Sequence, residues 1–315
     1  MYKKIAYLVT LAIVIALIIP VGVFAGPNQP QVFNLTIIHT NDFHDYEPYA
    51  LARKASIIKQ IRAEKKNILL IDGGDLSIRG PYHKVFYGEL EMAVLNALKY
   101  DVWELGNNEF KAHPDQAVTD EKLYNLINQA NFPTLCANVR TQAGEYLPGV
   151  QPYIVKQVAD MKIGILGVTS NKVKKYPQAS NKIVEDAFTT VKTLIPEVRK
   201  ASDIQIVLSH AGLAGDLQID KDLADSGISF IIGADDHFVI PQPIYRSGGI
   251  PITQAGGEDN IFLGRLDLTY ENKDGKWVLK SHKGMLYPIN DKVPMDTEIK
   301  RIVDRFLSKA KSKAA

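Results

Sequence analysis

Apolar runs and amphipathic stretches alternate along the chain from about residue 35 onward. Short apolar runs bounded by glycine, proline or small polar residues predict strands, and apolar residues at helical spacing predict helices. The predicted strands are residues 35–40, 67–72, 102–105, 204–208 and 229–232 with the runs TLCANV and IGILGVT, and the predicted helices are about 49–65, 86–99, 118–130, 185–201 and 217–226. This alternation, at the spacing of βαβ units, predicts the α/β fold class.

A different pattern begins at Pro251. Residues 262–268 alternate between apolar and polar, and a polar turn separates them from a second short strand at 277–279. Two such strands predict a hairpin. Residues 297–311 carry their apolar side chains on one face and predict an amphipathic helix. Because the sequence contains neither an internal repeat nor a low-complexity segment, we expect one compact domain rather than two.

The first 25 residues have the features of a secretory signal: a basic start, a long apolar run and a small-residue cleavage site. Pro20 breaks the helix where signal peptides commonly end, which favours a cleaved signal over an uncleaved membrane anchor. We expect residues 26–34 to be a linker, residues 35–290 to form the folded domain, and residues 291–315 to be a C-terminal amphipathic helix and tail. An exported protein of this kind would be periplasmic or extracellular, with no membrane contact unless the N-terminal segment is retained.

Composition and charge argue against some classes of function. The net charge is +2 and the lysines are mostly scattered, which argues against a nucleic-acid surface. The single cysteine, Cys136, lies within an apolar run and is interpreted as a buried core residue. One cysteine cannot form an internal disulfide, so the fold makes no use of an oxidising compartment.

Candidate chemistry is concentrated in five short polar clusters, each of which follows a predicted strand. The clusters are Asp42-Phe43-His44, Gly74-Asp75, Gly106-Asn107-Asn108-Glu109, Ser209-His210 and Asp235-Asp236-His237. Polar groups just past the carboxyl ends of strands converge in one crevice of an open α/β sheet. Carboxylate, imidazole and amide groups gathered there are typical ligands of a divalent metal ion. His39 lies inside its strand and is interpreted as structural.

The segments LTIIHTNDFHD, LLIDGGDL, LGNNEF, CANV, LSHAG and IIGADDH resemble the motifs of the calcineurin-like metallophosphoesterases. They are most similar to the N-terminal catalytic domain of the secreted 5′-nucleotidase and UDP-sugar hydrolase family. The resemblance extends from about residue 35 to residue 288. It implies a four-layer αββα sandwich in which mixed sheets are flanked by helices, formed by a single catalytic domain.

The resemblance also implies a site with two divalent metal ions, chosen from manganese, zinc, iron, cobalt and magnesium. The implied ligands of the first ion are Asp42, His44 and His237, those of the second are Asn107, His210 and Asp235, and Asp75 is implied to bridge both ions. Asp235 stands where the family has a histidine. The added negative charge favours harder ions such as manganese, magnesium or iron.

Two catalytic positions depart from the family pattern. The histidine that stabilises the transition state is replaced by Asn108, and the aspartate that pairs with it is replaced by Lys111. Asn108 can donate a hydrogen bond to a phosphoryl oxygen but cannot supply a proton. Loss of a general acid costs about two to four orders of magnitude in rate. His113 or His83, in neighbouring loops, could substitute for it, and His113 is taken as the candidate.

These observations predict an extracytoplasmic, metal-dependent phosphoesterase that hydrolyses a small phosphate ester, which could be a nucleotide. In the family a second domain supplies the nucleobase slot, and the chain ends near the family's interdomain helix, so a partner subunit could supply that wall. The substrate-binding residues are not predicted. Two alternatives stay open: a thiosulfohydrolase-like enzyme that works with a sulfur-carrier partner, and a catalytically weakened metal- or ligand-binding protein.

Overall fold

The computed structural model describes residues 31–257 and 261–314. Within them, the strands are β1 Val32–Thr40, β2 Ile68–Asp72, β3 Val102–Glu104, β4 Thr134–Leu135, β5 Val139–Thr141, β6 Val150–Gln151, β7 Tyr153–Val158, β8 Met161–Thr169, β9 Lys182–Val184, β10 Ile204–His210, β11 Ile228–Gly233, β12 Val239–Ile244, β13 Ile252–Ala255, β14 Phe262–Lys273 and β15 Lys276–Pro288. The helices are α1 Pro48–Glu64, α2 His83–Phe86, α3 Glu89–Leu98, α4 Gln116–Gln129, α5 Ala187–Ala201, α6 Gly212–Asp222 and α7 Thr297–Ala314.

The strands form two large mixed sheets and a small two-stranded one. The first has the order β15-β14-β1-β2-β3-β4-β6, the second has the order β12-β13-β11-β10-β8-β7, and β5 pairs with β9. In both large sheets the central strands are parallel, and the antiparallel strands lie toward the edges. Parallel strands need covering on both faces, which is why β1, β8 and β10 are almost continuously buried.

The core consists of three apolar layers. One lies between the two large sheets and includes Ile37 of β1 and Ile206 of β10. A second lies under the helices α1, α3, α4 and α7, and the third lies under α5 and α6. This arrangement confirms the expected four-layer αββα sandwich in a single domain.

Helix α7 packs onto the helical layer of the first sheet. The ring of Phe306 meets the ring of Phe86 edge-on at 5.4 Å, and Tyr49 of α1 donates a hydrogen bond to Asp304 at 3.0 Å. Helix α7 therefore packs against α1 and α2, and the expected boundary between residues 35–290 and residues 291–315 stays a prediction.

Several boundaries differ from the sequence prediction. β1 begins at Val32, inside the expected linker, because residues 32–39 pair with β14. Helix α6 covers Gly212–Asp222 rather than 217–226, and its N-terminal amide at Leu213 donates to the distant Asp236 carboxylate at 2.6 Å. That cap comes from another loop, so no local signal marked the start of the helix. The strand expected for TLCANV is only two residues long.

The predicted signal peptide or anchor, residues 1–25, lies outside the described residues, as does most of the linker. Among the described helices, none combines the length and the apolar character that a membrane span requires.

Candidate metal centre

The five polar clusters meet at one edge of the sandwich. Four of them follow β1, β2, β3 and β11, and the fifth, Ser209-His210, forms the last two residues of β10. Because the two sheets pack face to face, these five strand ends converge on one crevice.

Five of the predicted ligands have left-handed backbone. The φ angles are 55° at Asp42, 55° at His44, 59° at Asp75, 83° at Asp235 and 59° at His237. Aspartate and histidine tolerate this region better than most residues, but it still costs free energy. Strained backbone gathered at one place indicates that the surrounding fold holds these side chains in a fixed orientation.

The first metal-sized group consists of Asp42, His44 and His237. The Nε2 atoms of the two histidines are 3.1 Å apart, and Asp42 Oδ1 lies 3.6 Å from that of His44 and 3.3 Å from that of His237. His44 Nδ1 lies 3.2 Å from the Ser77 carbonyl oxygen. A donated Nδ1–H fixes the tautomer and turns the Nε2 lone pair toward the group, as is usual for metal-binding histidines.

The second group consists of Asp42, Asp75 and His210. His210 Nε2 lies 3.2 Å from Asp75 Oδ2 and 3.9 Å from Asp42 Oδ1, while its Nδ1 lies 2.6 Å from the carbonyl oxygen of Gly73. Among the described residues, neither Asp42 Oδ1 nor His210 Nε2 has a hydrogen-bond partner, although both are buried. Buried polar atoms of this kind are rare and indicate a missing partner.

Asp42 and Asp75 both lie between the two groups. The resemblance assigns the bridging role to Asp75, whereas the residue common to both groups is Asp42. Asp75 Oδ2 nevertheless lies 3.8 Å from His44 Nε2 as well as 3.2 Å from His210 Nε2. Either carboxylate is therefore positioned to contact ions on both sides.

The electrostatics of the cluster favour a cation. Burial by itself would raise the pKa of Asp42, but the imidazoles of His237 and His44 beside it lower that pKa below its ordinary value. Burial would lower the pKa of His210, yet Asp75 and Asp42 raise it well above its ordinary value. Protons on the histidines thus offset the buried carboxylates, at positions that a divalent ion would occupy.

Asn107 and Asp235 complete the predicted ligand set. The Asn107 amide nitrogen donates to the Tyr176 hydroxyl at 2.7 Å, and within the described part of the chain its Oδ1 is buried without a partner. Asp235 Oδ1 lies 3.9 Å from His210 Nε2, but both Asp235 oxygens accept hydrogen bonds from Lys172 Nζ, at 2.8 and 2.9 Å. A carboxylate has further lone pairs, so this ion pair is compatible with ligation by Asp235.

Asn108 contacts a predicted ligand directly. Its backbone N–H donates to Asp75 Oδ1 and its side-chain Nδ2 donates to Asp75 Oδ2, each at 2.8 Å. Asn108 thus orients the Asp75 carboxylate, and the contact with a phosphoryl oxygen stays a prediction. Glu109, which sequence reasoning did not use, accepts hydrogen bonds from the backbone N–H groups of Asp75 and Leu76, at 3.2 and 2.8 Å.

Gly74 and Gly106 allow the loops to approach closely. Gly74 has a φ of 97°, in the region that glycine adopts at little cost. A Cβ atom at Gly106 would overlap the Asp75 carboxylate and its backbone nitrogen. Both glycines are therefore required by the position of Asp75.

The two candidate proton donors lie in different surroundings. His113 is half-buried in the loop before α4, where its Nδ1 accepts from the Asp115 amide at 3.0 Å. Among the described residues, no contact joins His113 to the metal groups. His83 is closer, because its Nδ1 lies 3.1 Å from Ser77 Oγ and the Ser77 carbonyl faces His44. The acid role of either histidine stays a prediction.

Sequence reasoning gave no role to two lysines that lie beside the cluster. Lys172 lies in a short 3-10 turn at residues 171–175, just after the carboxyl end of β8. Lys111 lies with its Nζ 4.7 Å from the centroid of the Tyr176 ring. A polar run after IGILGVT was visible in the sequence, but nothing local showed that it would meet Asp235.

The donor set fits divalent metal ions. Carboxylate oxygens, imidazole Nε2 atoms and an amide oxygen are the ligands expected for borderline to hard ions. Among the described residues, three of these atoms are buried without a hydrogen-bond partner: Asp42 Oδ1, Asn107 Oδ1 and His210 Nε2. His44 and His210 are held by second contacts through Nδ1, which preorganises the site.

The chain matches the calcineurin-like phosphoesterase family over residues 35–239. It is 27% identical to the trifunctional nucleotide phosphoesterase protein YfkN of Bacillus subtilis, covering 90% of this chain and 21% of that protein. It is 29% identical to the 2′,3′-cyclic-nucleotide 2′-phosphodiesterase/3′-nucleotidase of Salmonella typhimurium, covering 89% of this chain and 49% of the relative. The chain thus spans half or less of the length of these two relatives.

A similar fold occurs in the crystal structure of a 5′-nucleotidase precursor from Thermus thermophilus. The TM-score is 0.77 at 22% identity, covering 89% of this chain and 59% of that one. At this identity the likeness shows a shared fold, and the matched part of the nucleotidase is about the size of the sandwich described above.

Proposed function

This chain belongs to the calcineurin-like phosphoesterase family, and we propose that it is an exported hydrolase of small phosphate esters with a dinuclear metal site. The family and the hydrolase class follow from the matched residues 35–239. The number of ions, the residues that hold them, the substrate and the location outside the cytoplasm are parts of the proposal.

One observation carries the proposal: two metal-sized groups share a buried carboxylate. Asp42 belongs to both groups, and its Oδ1 is a buried acceptor without a hydrogen bond among the described residues. A single ion would leave one group of donors unpaired, which is costly in a buried site. Two ions would use both groups.

Each residue then has a definite task. Asp42, His44 and His237 would hold one ion, and Asp75, Asn107, His210 and Asp235 the other, with Asp42 within reach of both. Ions held there would stabilise charge on the phosphoryl oxygens and acidify a water molecule for attack on phosphorus. Asn108 keeps the Asp75 carboxylate in place through two hydrogen bonds.

The leaving group would depart without the family's histidine. Asn108 cannot donate a proton, so turnover should be fastest on esters whose leaving group is already acidic. Nucleotides are reasonable substrates because the relatives are named as nucleotide phosphoesterases and nucleotidases. Since this chain spans only part of their length, nucleotide specificity remains part of the proposal.

Export is proposed on the N-terminal sequence, whose basic start, apolar run and cleavage site are typical of a secretory signal. One relative, 27% identical, is a snake venom 5′-nucleotidase from Naja atra. We therefore expect the mature domain to work in the periplasm or outside the cell.

Of the alternatives left open by the sequence, the thiosulfohydrolase-like activity gains no support from these relatives. The other alternative, a catalytically weakened metal- or ligand-binding protein, would bind metal but release no phosphate from an ester.

The test is phosphate release from a panel of esters by the mature domain loaded with Mn²⁺. The panel contains nucleoside monophosphates, a cyclic nucleotide and an aryl phosphate. We expect release from at least the aryl phosphate, and its loss in Asp75→Asn. The matched control is Asp203→Asn at the opposite end of β10, where Asp203 accepts from the Lys162 amide at 2.8 Å. If fully metallated protein releases no phosphate from any ester, the proposed function is wrong.

A further inference from the structure

Two lysines stand beside the metal groups at positions that the predicted ligands and the proposed chemistry do not use. Lys111 replaces the family's aspartate at the end of a 3-10 turn at residues 108–111, and Lys172 lies in the turn after β8. They follow strands of different sheets, yet Lys111 lies within electrostatic reach of Lys172, Asp75 and Asp235, and Lys172 is paired with Asp235. We call Lys111 and Lys172 the cationic rim.

Lys172 is fixed by Asp235. Its ammonium donates to both carboxylate oxygens, at 2.8 and 2.9 Å, and Asp235 is only 6% exposed. An ammonium has three N–H donors, so one remains after the two bonds to Asp235. The lysine side chain is 53% exposed, which leaves this donor open to a ligand entering the crevice.

Lys111 is fixed by a different contact. Its Nζ lies 4.7 Å from the centre of the Tyr176 ring, and the Tyr176 hydroxyl accepts from Asn107, a predicted ligand. A cation over an aromatic face is held without using its N–H donors. Within residues 31–257 and 261–314, Lys111 forms neither a hydrogen bond nor an ion pair. Its charge is therefore neither neutralised nor saturated.

The Lys111 ammonium is half-buried and, among the described residues, unpaired, and it lies next to the two groups of candidate metal ligands. Nearby cations, Arg79 and Lys172, oppose its charge, and burial together with them lowers the pKa of Lys111. An arrangement that gathers cations at such a cost is stabilised when an anion enters.

We infer that Lys111 and Lys172 bind the non-bridging oxygens of the substrate's phosphoryl group, at the side of the site from which the family's histidine is missing. This inference rests on the proposed function and adds its substrate-binding residues. In the transition state of phosphoryl transfer, negative charge is spread over the three equatorial oxygens. Metal ions and charged hydrogen-bond donors stabilise that charge. Lysine binds such oxygens as a point charge and does not need the planar geometry of an arginine contact. Two lysines can therefore approach one phosphoryl group from different directions.

The experiment measures the binding of inorganic phosphate to Mn²⁺-loaded protein by isothermal titration calorimetry. The variants are Lys111→Met and Lys172→Met, which keep much of the side-chain volume and remove the charge. Lys174→Met is the matched control, because Lys174 is exposed on the same turn as Lys172. Elemental analysis of each sample establishes that the metal content is unchanged.

We expect the phosphate Kd to rise about tenfold or more in each rim variant, as for the loss of one charge-assisted hydrogen bond. Lys174→Met should stay within about twofold of the wild type, and Lys172→Arg should bind phosphate more tightly than Lys172→Met because the charge remains. If Lys172→Met also loses metal, Lys111→Met decides, since Lys111 bonds to no predicted ligand. The inference is overturned if the wild type binds no phosphate, or if Lys111→Met binds it as tightly as the control.

These outcomes are separate from those of the hydrolase test, because phosphate binding requires no turnover. If the protein hydrolyses no ester but binds phosphate through the two lysines, the proposed function is refuted and the role of the cationic rim stands. If it hydrolyses esters but binds phosphate equally well without the lysines, the role of the cationic rim is refuted and the proposed function stands.

Discussion

Truncating Asn108 to alanine should weaken metal binding without unfolding the protein. Asn108 donates two hydrogen bonds to Asp75, one from its backbone and one from its side chain, both at 2.8 Å. The substitution removes only the side-chain bond, so one oxygen of a fully buried carboxylate loses its donor. A hydrogen bond to a charged group contributes about 1.5–3 kcal/mol, and second contacts of metal ligands affect affinity by about 10- to 100-fold. We therefore expect a loss of metal affinity within that range.

The assay is competition for Mn²⁺ between the protein and a fluorescent chelator, with thermal unfolding measured on the same samples. Asn138→Ala is the control, because Asn138 is also a buried asparagine with two hydrogen bonds to Thr169, but it contacts none of the predicted ligands. Asn138→Ala should lower the melting temperature and leave Mn²⁺ affinity unchanged. If Asn108→Ala binds Mn²⁺ within twofold of the wild type, Asn108 does not position Asp75.

Three further results are expected. Chelating the metals should lower the free energy of unfolding by about 2.7 kcal/mol if the free ion had been present at about 100 times its Kd. An unchanged melting temperature after chelation would contradict a metal site in the folded protein. Gly106→Ala should cost about 1–3 kcal/mol in thermal unfolding and weaken Mn²⁺ binding, because its Cβ would overlap Asp75. Burial lowers the pKa of His39 to about 4, whereas the unfolded chain takes up that proton near pH 6.5. Stability should therefore fall by about 3 kcal/mol from this group as the pH falls through that window, and His39→Leu should flatten that part of a denaturant-derived pH–stability curve; an unchanged slope would refute the assignment.

Much of the fold is predictable because its central strands are parallel. Such strands are buried on both faces and read as continuous apolar runs, as β1, β2, β8, β10 and β11 do. The edge strands β7 and β12 lack that signal. β12 contains two prolines and an irregular register, so its sequence resembles a loop.

The ligand positions are predictable for the same reason. Each of the five clusters follows a strand whose end was recognised, and parallel topology brings those ends together. That reasoning locates Asp42, His44, Asp75, His210 and His237, which the structure gathers into two metal-sized groups. It does not reveal which carboxylate lies in both groups.

Contacts between distant segments could not be predicted. Lys172 meets Asp235 across 63 positions of sequence, and Lys111 meets Tyr176 from a different sheet. Asp236 caps α6 from a loop that follows β11. Each depends on how the two sheets are stacked, which a single sequence does not specify.

The sequence resemblance implies a histidine at position 108 and an aspartate at position 111, where this chain has Asn108 and Lys111. Asn108 donates a hydrogen bond to Asp75, and Lys111 lies over the Tyr176 ring. Under the proposed function, Asn108 supplies no proton and Lys111 supplies positive charge near the phosphoryl group. We therefore expect a site that favours acidic leaving groups.

The central claim is a dinuclear, metal-dependent ester hydrolase, and one titration tests it most directly. Phosphate release from an aryl phosphate is measured while Mn²⁺ is added stepwise to metal-free protein at a concentration well above its Kd. The account predicts that the rate rises until two equivalents per chain are bound and then stays constant. A rate that saturates at one equivalent would contradict the dinuclear site, and no phosphate release at any ratio would contradict the hydrolase.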